Sequence, residues 1–152
     1  MNILNAYEKL KGIPGGNRLF TMVTCRTAPY FSSISPLVED LRPGYARVSM
    51  KKRRSVENHL KTVHAIAMCN MAELAGGLMT DVSVPKGARW IPSGMTVEYL
   101  KKAKTDLVAE SHGTAIDWSQ TGEVIVPVDI KDTHGDIVFT ARITMNVKQA
   151  KA

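Results

Sequence analysis

The stretch V63-H-A-I-A-M-C-N-M-A-E-L-A-G-G-L-M79 decides the fold. Its strongly polar side chains are His64, Asn70 and Glu73, and the rest is apolar or small. No Gly or Pro interrupts it before Gly76-Gly77. It reads as one helix over 63–79, with Thr62 as N-cap and the two glycines weakening its last turn. A bilayer needs about 20 apolar residues, and a mid-span carboxylate is costly there. The segment is therefore a buried helix rather than a membrane span. A helix apolar on every side must be enclosed on every side. One curved sheet cannot do that alone, so a second subunit or the N-terminal segment is needed as cover.

Residues downstream of this helix read as strands. Ile137, Phe139, Ala141, Ile143, Met145 and Val147 alternate with Val138, Thr140, Arg142, Thr144, Asn146 and Lys148. Period-two alternation over that length specifies a strand with one buried face. Val124, Val126, Val128 and Ile130 give a second over 122–130, and Asp132, His134 and Gly135 turn the chain between the two. Residues 96–103 and 106–112 predict two more. Upstream, 37–41 and 45–51 read as strands flanking the turn Arg42-Pro43-Gly44. Residues 3–11 carry Ile3, Leu4, Tyr7 and Leu10 at helical spacing, ended by Gly12, Pro14, Gly15 and Gly16. The β-branched content of 18–26 predicts a strand, and Pro29 and Pro36 make 27–36 an irregular connection. An α+β domain follows, its antiparallel sheet wrapping the apolar helix.

Length and composition fit that reading. The chain has 152 residues, 44% of them hydrophobic, enough for one domain over 1–152 with residues 1–16 as an N-terminal helix and turn. A chain of that size hides about 70% of its unfolded surface without staples. Two cysteines, Cys25 and Cys69, lack CxxC spacing and fit a reduced, cytoplasmic setting. The net charge of +6 is concentrated at Lys51, Lys52, Arg53 and Arg54 and at Lys101, Lys102 and Lys104. Such clusters suit anionic partners. The nine aromatics do not alternate with basic residues, so nucleic-acid binding is a weak reading. His59 and His64 do not have zinc-ligand spacing, and no HExxH motif occurs. The eight methionines read as core or as lining for a flexible acyl chain.

Chemistry points to the helix. At 100° per residue Glu73 lies about 20° from Ile66, about 40° from Cys69 and about 60° from Asn70. A carboxylate in that setting is expensive unless paired, hydrogen-bonded or protonated, and Asn70 is its i−3 neighbour. The first-turn N–H groups around Ala65 and Ile66 lack intrahelical acceptors and, with the helix dipole, suit an anion. Asn58 and His59 sit just upstream as loop residues able to orient a carbonyl or a water.

The segment from Asn58 to Glu73 resembles the helix motif of hotdog-fold thioesterases, particularly the phenylacetate-pathway type. In that family an Asn lies six residues before a His and an acid nine after it, the intervals of Asn58, His64 and Glu73. The stretch Trp90 to Leu100 (WIPSGMTVEYL) resembles a largely uncharacterised bacterial branch of the same superfamily. The resemblance covers roughly residues 30–148. Where the family reads His-Gly-Gly, this chain reads His64-Ala65-Ile66.

The resemblance implies a hotdog fold and an acyl-CoA thioesterase. It gives Glu73 as base or nucleophile, Asn58 and His64 as its catalytic companions, and an oxyanion hole at the Ala65 or Ile66 backbone. His59, Asn70, Arg53, Arg54, Lys101, Lys102 and Lys104 are the substrate-binding candidates. Coenzyme A enters as part of the substrate, not as a cofactor, and an acyl carrier thioester is the other substrate form. Because the family supplies the Asn and the acid from opposite subunits, a homodimer with two interfacial sites is implied, with a homotetramer left open. A non-catalytic acyl-thioester binding module is the alternative, and a hydratase is a weaker one, since its His-centred motif is missing.

Overall fold

The computed structural model describes residues 2–151, one residue short of the expected domain at each end. Six strands form one antiparallel sheet: β1 (Leu37–Arg42), β2 (Tyr45–Met50), β3 (Arg89–Tyr99), β4 (Leu107–His112), β5 (Gly122–Lys131) and β6 (Ile137–Lys148). Their order is β1-β2-β4-β5-β6-β3, so β1 and β3 are the edges. The sheet wraps the central helix α3 (Ala65–Ser83), which is the hotdog arrangement. Two helices, α1 (Ile3–Leu10) and α2 (Gly16–Thr27), and a 3-10 segment (Pro29–Ile34) precede the sheet.

The period-two strands fold as their pattern dictates. Val124, Val126, Val128 and Ile130 are buried, as are Phe139, Ala141, Ile143, Met145 and Val147. Ile137, first of the alternating set, lies outside the core instead, and Val138 is buried beside Phe139. Gly76 lets α3 settle on this floor, since a Cβ there would stand 2.7 Å from Ile143 Cδ1. Gly76 and Gly77 thus serve close packing in mid-helix, and α3 runs on to Ser83 rather than weakening at 79.

The helix also starts later than expected. Val63 donates to the Ala103 carbonyl and bridges Glu57, so it is still extended. His64, not Thr62, is the N-cap: its Nδ1 accepts the Ile66 N–H at 3.0 Å.

Residues 18–26 are helical, not a strand. Their threonines carry the β-branched signal, but each hydroxyl bonds back to a carbonyl one turn earlier: Thr21 to Asn17, Thr24 to Phe20, Thr27 to Val23. Such back-bonding satisfies the hydroxyl within a helix. Phe20 on the inner face meets Tyr7 of α1 edge-on at 5.1 Å. Gly16 makes the α1–α2 corner possible, because a Cβ there would fall 1.7 Å from the Leu10 carbonyl oxygen.

Strand β3 covers 89–99 rather than 96–103. Pro and Gly weaken most strands, yet on an edge strand Pro92 and Gly94 mark a bulge, and the pairing with β6 shifts between them. The N-terminal elements supply part of the cover α3 requires: Tyr7 and Ile34 join its core, and Ile3, Ala6 and Phe31 pack against it.

Candidate active site

Three clefts surround the first half of α3. The first, about 390 Å³, is bounded by Ala28, Pro29, Tyr30 and Phe31 on one side and by Ile66, Cys69, Asn70 and Glu73 on the other. The second, about 370 Å³, adjoins it and adds His64, Ala67 and Ser33. The third, about 330 Å³, holds Asn58, Thr62, Ala65, Met68, Lys101 and Lys102. Glu73, Asn70 and Ile66 therefore share one cleft, while Asn58 and Ala65 share another.

Glu73 is exposed, which corrects the expectation of an enclosed carboxylate. The helix face that bears it is apolar but open, because it runs beside the edge strand β3 and not under the sheet. Trp90 of β3 packs against Gly77, where a Cβ would stand 3.2 Å from its ring. At the other end of the face, burial pushes the Cys69 thiol up, with the Tyr99 hydroxyl partly countering it. Glu73 lies between these two contacts along the helix. Trp90 is itself fixed by a 3.0 Å hydrogen bond from its Nε1 to Asp81 Oδ1.

Asn70 does not hold Glu73. Its amide donates to Ser33 Oγ at 3.0 Å and to the Tyr30 carbonyl at 3.4 Å, pinning the 3-10 segment to α3. Its Oδ1 is buried with no partner among the described residues. Within the irregular connection expected over 27–36, the 3-10 segment 29–34 walls the Glu73 cleft with Tyr30 and Phe31. Pro29 at its first position was the available signal.

The loop before α3 is held by Asn58. Its Oδ1 accepts from Leu60 N at 3.0 Å, Thr62 N at 3.1 Å and Thr62 Oγ1 at 3.2 Å. Lys61 completes the turn at φ 58°, in the left-handed region. With Ile66 N–H held by His64, the Ala65 N–H is left without an acceptor among the described residues. Of the two proposed oxyanion donors, Ala65 is free and Ile66 is taken. The Ile66 side chain is 54% exposed and lies on the Glu73 side.

The cations divide. Lys101 and Lys102 line the Asn58 cleft, with Lys101 paired at its surface to Asp136 at 3.2 Å. Arg53 is engaged elsewhere, donating to the Ser33 and Ile34 carbonyls and so anchoring the 3-10 segment. His59, Arg54 and Lys104 are exposed and line none of the three clefts. Among the described residues no cluster of His, Cys, Asp or Glu could hold a metal, and no helix is long and apolar enough to cross a membrane.

Residues 16–147 match a family described as a domain of unknown function, DUF4442. No curated protein shows significant similarity to the chain. Among solved structures, one determined as a genomics target is 49% identical, with a TM-score of 0.88 over 97% of this chain and 99% of that one. A Pseudomonas aeruginosa protein described as of unknown function and a probable thioesterase is 22% identical, with a TM-score of 0.73 over 83% of this chain and 91% of that one. A Haemophilus influenzae thioesterase is 12% identical, with a TM-score of 0.71 over 81% of this chain and 85% of that one. The last two likenesses bear on the fold.

Proposed function

The chain belongs to the DUF4442 family, and from the site it builds on a hotdog scaffold we propose that it hydrolyses acyl thioesters, with acyl-CoA as the substrate. The observation that carries this reading is the pairing of a free first-turn N–H at Ala65 with an exposed carboxylate at Glu73 on the same helix.

In one chain those groups open into different clefts. The reading therefore includes a homodimer, in which Ala65 of one protomer and Glu73 of the other address one thioester. The exposed edge strand β3, beside the Glu73 face, supports that assembly. Glu73 takes a proton from water as the water oxygen attacks the thioester carbonyl carbon. The tetrahedral oxyanion is held by the Ala65 N–H at the positive end of α3. The carbon–sulfur bond then breaks, and the thiol leaves with the proton returned by Glu73. His64 and Asn58 are positioning residues, fixing the helix start and the loop before it. Lys101 and Lys102, on the rim of the Asn58 cleft, meet the phosphates of coenzyme A.

Thiol release from short, medium, long and aromatic acyl-CoAs tests this. Turnover should fall by about 100-fold or more in Glu73→Ala and in Glu73→Gln. Turnover unchanged in those variants overturns the mechanism. The alternative, a non-catalytic acyl-thioester binder, draws on the Ile66 N–H being already occupied by His64. Saturable acyl-CoA binding with no turnover on any chain length would favour it.

A further inference from the structure

On the far side of the 3-10 segment from Glu73 lies a larger cavity, about 750 Å³, between α2 and the β1–β2 end of the sheet. Pro29 lines both this cavity and the Glu73 cleft, so the 3-10 segment is their shared partition. The helical state of 16–27 creates the cavity wall, since Arg18, Met22, Cys25 and Arg26 fall on one face only in a helix. Met22, Cys25, Pro29, Pro36 and Leu37 make most of the lining apolar, and none of the lining residues is aromatic. Burial pushes the Cys25 thiol up, which keeps that side chain uncharged beside the apolar lining.

Three cations stand at this apolar lining: Arg18, Arg26 and Lys51. Among the described residues none of them has a carboxylate within salt-bridge distance. None uses its side chain to bond a neighbour, unlike Arg53 close by. The surrounding sequence is equally one-signed. From Lys9 to Val38 the chain carries Lys9, Lys11, Arg18 and Arg26 and no Asp or Glu.

We infer that this cavity binds an amphipathic organic anion, an aliphatic chain ending in a carboxylate. The apolar walls take the chain, and the guanidinium groups of Arg18 and Arg26, with Lys51, take the head group. Guanidinium–carboxylate pairs are the strong, directional kind. The missing aromatic platform argues against a nucleotide base as the ligand. A fatty carboxylate is also what thioester hydrolysis would release, but the site stands on its own lining and not on that reaction.

The test is isothermal titration of the full chain with dodecanoate, and with 1-dodecanol, coenzyme A alone and phosphatidylglycerol vesicles as comparators. Dodecanoate should bind saturably and far better than dodecanol. The double variant Arg18→Gln/Arg26→Gln should weaken it at least about tenfold, the scale of one lost charge-assisted hydrogen bond. Both arginines are exposed, so the variant should keep its melting curve. Glu73→Gln should leave dodecanoate binding intact, whatever becomes of turnover, which separates failure of this site from failure of the catalytic reading. No saturable binding overturns the inference, as does equal affinity in the arginine variant. Coenzyme A binding that depends on the two arginines would make this a nucleotide site and overturn it. Binding only to anionic vesicles would make the α2 face a membrane-docking surface and overturn it likewise.

Discussion

At the scale of single residues, the region before α3 works by hydrogen-bond accounting. Asn58 Oδ1 accepts three hydrogen bonds within four residues. Asn58→Ala should therefore cost about 1–2 kcal/mol, read as a lowered urea midpoint, while Asn58→Asp keeps the acceptor and most of the stability. Glu110 on β4 is the clearest electrostatic case. The Tyr45 hydroxyl donates to it at 2.6 Å, Lys131 at 2.9 Å and Arg47 at 3.2 Å. These contacts hold its carboxyl down at about 2, from an ordinary 4.5. A carboxyl lowered on folding contributes stability that is fully present above the unfolded value and lost as pH falls through the folded one. Chemical denaturation between pH 5 and 2 should show that loss, and Glu110→Gln should flatten it. The sequence made Asn58, His64 and Glu73 visible as a set because their spacing carries the family resemblance. It could not show that His64 occupies the Ile66 N–H, since N-cap identity depends on whether Val63 is extended, and a strand-like contact with Ala103 decides that.

At the scale of elements, legibility followed periodicity. Strands β5 and β6 could be read because each has one buried face and thus a strict alternation. Strand β3 is caught only in its second half by the reading of 96–103, because it is exposed on nearly its whole length and carries no strict alternation. Helix α2 is hidden for the opposite reason: its threonines imitate a strand, and only the back-bonded hydroxyls reveal the helix. Thr21 also ties that helix to the sheet, since its Oγ1 accepts the buried Val38 N–H at 2.9 Å. Thr21→Val should orphan that donor and cost about 1–3 kcal/mol in equilibrium unfolding. At the corner between the first two helices, Gly16→Ala forces the backbone apart. Hydrogen exchange should then show α1 and α2 losing protection while β5 and β6 keep theirs.

At the scale of the whole molecule, the sheet is asymmetric in what it leaves uncovered. The β1 edge is flanked by α2, whereas the β3 edge shows Ile91, Met95 and Tyr99 to solvent. With the proposed homodimer formed there, sedimentation should give twice the 16.7 kDa chain mass. Ile91→Asp/Met95→Asp should return a monomer. Loss of turnover in that monomer, with Glu73 intact, is the outcome expected if each site draws on two protomers.

Pro92 and the bulge beside it bear on a different hazard. An eleven-residue strand with a bare edge is a template onto which extended chains of any origin can zip. Proline offers no N–H, and the shifted register between Pro92 and Gly94 breaks the row of backbone groups partway along. Only the stretch after Gly94 keeps an unbroken ladder, which leaves room for one short, defined partner strand. The same interruption that hides this strand from pattern reading thus acts as its safeguard against open-ended polymerisation.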